Sequence, residues 1–308
     1  MAGAGAEESA VLLAGPWIHR EITANGGRFH AAELGEGPLV LLLHGFPQFW
    51  WCWRHALVAL AEAGFRAVAP DLRGYGASDK PPRGYDAVTL AADCAGMVKA
   101  LGERDAVVAG TDWGGVLGWS MAALHPSVVR RLVVLSAPHP LRLRGGVVGN
   151  WRGSLTAARY VLGFQTPRLA ERYLTQEDGA AVERLLSRWS SPGWPDAEAA
   201  GRYRQAMQIP GVAHSSLEYY RWAVRSSMRT DGLRYARAMA QPVAVPTLQV
   251  HGEYDGLLPL ATAAGSGQWV DAAYEWHPLV GVGHFPAEEA PEQVNALLVR
   301  WAGEGDGT

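Results

Sequence analysis

The sequence predicts an α/β protein, a mostly parallel sheet with helices on both faces and a helical subdomain inserted late in the chain. Three observations carry this prediction. Short, uninterrupted apolar runs alternate with helical patterns from about residue 28 to 137. Strands without polar alternation, separated by helices, belong to parallel sheets covered on both faces. Between about 142 and 239 the texture changes to Arg-rich and Trp-rich amphipathic segments, and β-like sequence then returns at Pro246–His251.

Taken in order, Pro38–Leu43 (PLVLLL) is an apolar run ending before a His-Gly pair, and Ala67–Ala69, Ala106–Ala109 and Leu132–Ser136 are similar runs followed by turn residues. Trp53–Ala63, Thr89–Leu101 and Gly115–His125 carry helical spacing between them. In the insertion, helices are predicted over Leu169–Tyr173, Ala180–Trp189, Ala197–Met207 and Ser216–Ser227. Strands at Thr247–Val250 and Ala273–His277 and a helix at Pro291–Ala302 complete the core. The division is a core of residues 1–141 and 240–308 with a helical cap of residues 142–239. In such a sheet a ligand lies at the carboxyl ends of the strands, here beneath the cap.

Composition narrows the function. The 27 Lys and Arg nearly balance 30 Asp and Glu, a net charge of −3, which gives no electrostatic reason to expect nucleic acid or an anionic membrane as partner. Cys52 and Cys94 are the only cysteines, and they lack metal-ligand spacing, so a disulfide framework is not expected. The first residues lack a basic start, and no stretch approaches the roughly 20 apolar residues that span a bilayer. A cytoplasmic protein is expected, compatible with a homodimer but not specifying one. Thirteen Trp, among them Trp50, Trp51, Trp53 and Trp113, suit an apolar pocket.

The chemistry concentrates in loops after strands. Gly110-Thr-Asp-Trp-Gly-Gly115 follows the Ala106–Ala109 strand and opens a helix. Its small residues allow a sharp strand-to-helix turn that exposes Asp112 as a nucleophile near a helix N-terminus. An N-capping Asp is the plainer reading of Asp112 alone; glycines on both sides favour the nucleophile. Gly118-Trp-Ser120-Met-Ala122 resembles a serine elbow, but it falls inside the following helix, so serine chemistry is not expected. His44-Gly-Phe-Pro47 follows a buried strand and would supply a backbone N–H from Phe46, with Trp113 the second donor, to stabilise an oxyanion. His44 would order this loop, and His44, Pro47, Trp113 and Tyr219 would border the substrate. The acid and base should follow in chain order. Asp255, in Gly252-Glu-Tyr-Asp255, is preferred to Glu253, which is expected to face solvent. His284, in a Gly-flanked loop, is preferred to His277, which ends a strand and suits packing.

Together with Asp71-Leu-Arg-Gly-Tyr-Gly-Ala-Ser-Asp-Lys-Pro81 and Gly283-His-Phe285, these motifs resemble the α/β-hydrolase-fold epoxide hydrolases and, more broadly, their dehalogenase relatives. The likeness covers most of the chain. It implies two cap tyrosines that hydrogen-bond and protonate the epoxide oxygen. Tyr220, directly before Arg221, looks like one, with Tyr219 beside it as the competing assignment; Tyr160, four residues before Phe164-Gln165, looks like the other. Packing within a helical cap is the plainer account of both. Thr111 departs from the resemblance, which has His there.

The mechanism so implied needs no metal or organic cofactor. An aspartate, with an ordinary pKa of about 3.9, attacks without help from a base. Asp112 would open a small apolar epoxide to an alkyl–enzyme ester as Tyr160 and Tyr220 protonate the oxygen, and a water activated by His284 and Asp255 would then release a vicinal diol. The alternative is a haloalkane or haloacetate dehalogenase using the same Asp112, His284 and Asp255, with Trp113 as a halide donor. A non-catalytic binding protein on the same fold is the third reading.

Overall fold

A computed structural model describes residues 7–149 and 155–304. Eight strands form one sheet in the order β1-β2-β4-β3-β5-β6-β7-β8. These are β1 (Ile18–Ala24), β2 (Gly27–Leu34), β3 (Leu39–Leu43), β4 (Arg66–Pro70), β5 (Ala106–Thr111), β6 (Val129–Leu135), β7 (Thr247–Gly252) and β8 (Tyr274–Leu279). From β4 to β8 every pairing is parallel, while β1–β2 and β2–β4 are antiparallel. The apolar runs explain the parallel part: β3, β5 and β7 are buried along their whole length.

The β1–β2 hairpin lies largely outside the expected run of strands. Its strand β1 is only partly buried, so it lacks the continuous apolar signal. Asn25 and Gly26 turn the chain with φ of 46° and 75°. Asn-Gly at such a two-residue turn is the strongest short-range hairpin signal, and it was present in the sequence.

Helices α1 (Arg54–Glu62), α2 (Ala87–Ala100) and α3 (Trp113–Leu124) alternate with the early strands. Between β6 and β7 the described chain is helical: α4 (Pro140–Gly149), α5 (Leu155–Gly163), α6 (Leu169–Trp189), α7 (Ala197–Met207), α8 (Val212–Arg225) and α9 (Thr230–Met239). The span α6 is divided at Gln176–Gly179, where the backbone leaves helical geometry, into two helices over the segments expected at Leu169–Tyr173 and Ala180–Trp189. Short α10 (Leu260–Ala263) and α11 (Pro286–Glu289) precede α12 (Pro291–Gly303). Helix α1 packs on α12 and α2 on α3, covering the sheet in two layers. No helix among the described residues is long and apolar enough to cross a membrane.

Two buried polar clusters tie the inserted helices to the helices and loops that flank the sheet. Tyr203 of α7 bonds Glu288 of α11, whose carboxylate also accepts from Arg54 at 2.8 Å. On the other side, Arg73 after β4 grips Asp93 of α2 with two bonds of 2.6 and 2.7 Å, and Asn25 adds a third of 2.7 Å. The Arg73 carbonyl then accepts from the Tyr219 hydroxyl at 2.8 Å. Removing one member of a buried pair leaves the other charge uncompensated. Asp93→Ala is therefore expected to lower the unfolding free energy by about 3 kcal/mol or more in a urea titration; a loss under about 1 kcal/mol would show that Arg73 rehydrates freely.

Candidate active site

Loops at the carboxyl ends of β3, β5, β7 and β8 converge on Asp112. The backbone at Asp112, between β5 and α3, has φ 48° and ψ −117°. That geometry is uncommon for a residue with a side chain. It becomes possible because Gly114 has no Cβ, which would stand 2.1 Å from the Leu43 carbonyl oxygen. Gly45 plays the same part from the facing loop, since a Cβ there would lie 2.5 Å from that of Asp112.

The two oxygens of the Asp112 carboxylate are not equivalent. Oδ2 accepts a hydrogen bond from the Phe46 N–H at 2.8 Å. Oδ1 lies 3.5 Å from Nε2 of His284. The other ring nitrogen of His284 is 2.7 Å from Oδ2 of Asp255. Asp255 is itself fixed by the N–H groups of Leu257 and Leu258, at 2.8 and 2.7 Å on Oδ1. A buried carboxylate so ligated orients the imidazole with Nε2 toward Asp112.

His251 was not anticipated here. Its Nε2 bonds the Leu258 carbonyl at 2.7 Å and lies 3.2 Å from the Asp255 carboxylate. The signal was available, since His251 opens the same His-Gly-Glu-Tyr-Asp segment. The rejected candidates lie apart. Glu253 is exposed, and His277 is partly exposed beside Glu275 rather than packed. Ser120 is buried within α3, its hydroxyl bonded to the Val116 carbonyl and the Tyr235 hydroxyl.

The inserted helices provide the other wall. The Tyr220 ring contacts Phe46, Trp113 and Phe164 at centroid distances of 5.4, 5.2 and 5.1 Å. The Trp189 ring packs on His284 at 5.6 Å and on Phe46 at 6.2 Å. Three polar atoms on these side chains are buried without a partner: the Tyr220 hydroxyl, Nε1 of Trp189 and Nε2 of His284. Buried polar groups are normally satisfied, so three orphans on linked aromatic side chains beside Asp112 mark the place a ligand or water would complete. Burial pushes the Tyr220 phenol up, reinforced by the nearby Asp112 charge, so it stays protonated at neutral pH.

Several expected substrate contacts are placed elsewhere. Tyr219 is buried with its hydroxyl on the Arg73 carbonyl and its ring against Tyr75, which leaves no free donor. His44 uses both nitrogens: Nδ1 donates to the Gly45 carbonyl and Nε2 accepts from the Leu72 N–H, each at 3.0 Å. It therefore orders the loop and has no nitrogen left for a substrate. Trp50, Trp51 and Trp53 are buried away from this wall; Trp50 bonds the Val11 carbonyl, and Trp51 lies under Arg54. The aromatic rings packed together beside Asp112 and His284 are instead those of Phe46, Trp113, Phe164, Trp189 and Tyr220.

Tyr160 on α5 is half-buried, 5.3 Å from Trp189 and 6.1 Å from Phe164 by ring centroids. Its hydroxyl makes no hydrogen bond among the described residues. Phe164 touches both its ring and that of Tyr220. Pro47 is buried in the loop after Phe46. The Thr111 hydroxyl is buried without a partner.

Burial opposes a charged imidazole at His284, but the carboxylates of Asp255 and Asp112 outweigh it and push the ring up to about 10. A pKa raised on folding stabilises the fold fully below the ordinary value of 6.5, and that contribution is lost as pH climbs through about 10. In thermal unfolding across this window, the protein is expected to lose stability relative to His284→Gln as pH rises. A constant difference would contradict a charged histidine between two carboxylates.

A family model described as alpha/beta hydrolase fold matches residues 38–291. Epoxide hydrolase 3 of Xenopus tropicalis is 33% identical over 285 residues, covering 89% of this chain and 74% of that protein. Epoxide hydrolase A of Mycobacterium tuberculosis is 29% identical, covering 92% and 96% respectively. Among solved structures, epoxide hydrolase A from Mycobacterium thermoresistibile superposes with a TM-score of 0.81 at 28% identity, over 92% of this chain and 98% of that one.

Proposed function

We propose, since the chain belongs to the α/β-hydrolase family and is an epoxide hydrolase of it, that it opens apolar epoxides through a covalent ester on Asp112. The observation that carries this mechanism is the division of labour between the two carboxylate oxygens, with Oδ2 on the Phe46 N–H and Oδ1 free toward His284. Oδ1 is the oxygen available to attack an epoxide carbon.

In the first step a bond forms from Oδ1 to that carbon as the carbon–oxygen bond of the ring breaks. Tyr220 gives its proton to the departing alkoxide, with Tyr160 as the second donor. The ester carbonyl oxygen is then Oδ2, already on the Phe46 N–H. In the second step His284, held by Asp255, takes a proton from water, and the hydroxide adds to Cγ of Asp112. Negative charge develops on Oδ2, where the N–H groups of Phe46 and Trp113 receive it. Collapse breaks the bond from Cγ to Oδ1, the departing alkoxide takes the proton that His284 gained from water, and a vicinal diol leaves.

Alkylation also resets the base. The Asp112 charge is one of the influences that raise the His284 imidazole, and the ester removes it. The imidazole then releases a proton more readily, which suits a general base and can restore the proton lost by Tyr220. Residues 142–239 act in this scheme as a cap that excludes bulk water.

Diol formation across terminal, trans-disubstituted and aryl epoxides tests this reading. Asp112→Ala is expected to abolish turnover, and Tyr220→Phe to slow it roughly a hundredfold or more. Tyr219→Phe, whose hydroxyl is already committed to Arg73, is expected to cost about 1 kcal/mol of stability with turnover retained. Equal losses in Tyr219→Phe and Tyr220→Phe, or halide release from haloalkanes without diol from any epoxide, would contradict it.

A further inference from the structure

Glu289 lies at the end of α11, five residues after His284 and outside every role assigned so far. Its half-buried carboxylate accepts four hydrogen bonds. Oε1 takes the Phe285 N–H at 2.8 Å. Oε2 takes the Gly283 N–H at 2.8 Å and both the N–H and the hydroxyl of Ser191, at 2.7 and 2.6 Å. The amides on either side of His284 thus converge on one carboxylate, and the remaining two donors come from the segment that follows α6.

That segment holds the catalytic loops by a second route. The Trp189 carbonyl accepts the His284 N–H and the Gly256 N–H, each at 3.0 Å. Gly256 directly follows Asp255. The contact is tight enough that a Cβ on Gly283 would stand 2.4 Å from the Ser191 nitrogen. Base, acid and the end of α6 are therefore joined backbone to backbone, and among the described residues Glu289 is the one side chain that binds both flanks of the histidine and the inserted segment.

We propose that Glu289 is a positioning residue for ester hydrolysis, holding Nε2 of His284 toward Asp112 and making that orientation depend on the seating of Trp189–Ser191. This rests on the covalent mechanism above. It predicts an asymmetry between the two steps. Ester formation uses Asp112, Phe46 and Tyr220, which are held by β3, β5 and α8 and make no hydrogen bond to Glu289. Only ester hydrolysis uses His284. A glutamine at 289 would turn an N–H₂ group toward a cluster of donors, so the loop would have to shift; displacement of a reacting group by about 1 Å can cost roughly a hundredfold in rate.

Single-turnover rapid quench with styrene oxide, with the intact protein mass reporting the ester, separates the steps. Glu289→Gln is expected to form ester within about twofold of the unmodified rate and to lose it roughly a hundredfold more slowly, so the adduct accumulates. Ser191→Ala, which removes one of the four donors, is expected to slow ester loss in the same step by a smaller factor. Ester loss at the unmodified rate in both variants, or an equal fall in both steps accompanied by a lower Tm, would overturn the assignment. If Glu289→Gln does not fold, unchanged ester loss in Ser191→Ala is by itself sufficient to overturn it. His284→Gln is the control: absence of any adduct there would reject the covalent mechanism, whatever Glu289 does.

Discussion

At Asp112 the chain leaves a buried strand and enters a helix through a backbone conformation, φ 48° and ψ −117°, that a residue with a side chain adopts at a cost of about 1–3 kcal/mol. The surroundings hold it there. Its N–H donates to the Leu135 carbonyl, its carbonyl accepts from Val116 at the start of α3, and its side chain is bonded to the Phe46 N–H. The glycines around it leave no room for relaxation, because both the strand β3 carbonyl and the facing loop approach to contact distance. Every other component of the site is aimed at the carboxylate this turn presents.

The second organising factor is charge. A buried imidazole between two carboxylates is a charged triplet whose balance shifts when one carboxylate is converted to a neutral ester. The protein thus needs no separate device to change His284 from a charged partner of Asp112 into a base. In the proposed mechanism, conversion of Asp112 to the ester removes one of the charges that raise His284 and so makes that change. On the opposite wall, burial keeps Tyr220 protonated, and its hydroxyl has no protein partner to compete with an alkoxide. Two neighbouring tyrosines therefore have different fates: Tyr219 is bonded to the Arg73 carbonyl and Tyr220 is free.

Much of this was legible in the residues because the informative signals are local. An apolar run followed by a glycine-framed Asp encodes the elbow, and similar short segments encode the loops that carry Phe46, Asp255 and His284. The parallel strands were readable from their continuous apolar runs, whereas β1, with one face in solvent, was not, despite its Asn25-Gly26 turn. Choosing between Tyr219 and Tyr220 required knowing what each hydroxyl meets across about 150 residues of chain, which spacing does not encode. The same is true of the tryptophans, since Trp50 and Trp53 look like pocket residues until the N-terminal segment and the sheet are seen to enclose them. Glu289 joins the histidine loop to Ser191, 98 residues earlier in the chain, which spacing does not encode, whereas His251 meets Asp255 and Leu258 from within the same short segment.

In the proposed mechanism Asp112 Oδ1 becomes the ester oxygen and water attacks Cγ, not the substrate. One turnover in heavy-oxygen water with enzyme in excess tests it directly, followed by mass analysis of the peptide carrying Asp112 and of the diol. Attack at Cγ leaves one heavy oxygen in the Asp112 carboxylate and none in the first diol released. Label in the diol with an unlabelled Asp112 would mean that water opens the epoxide directly, and would contradict it.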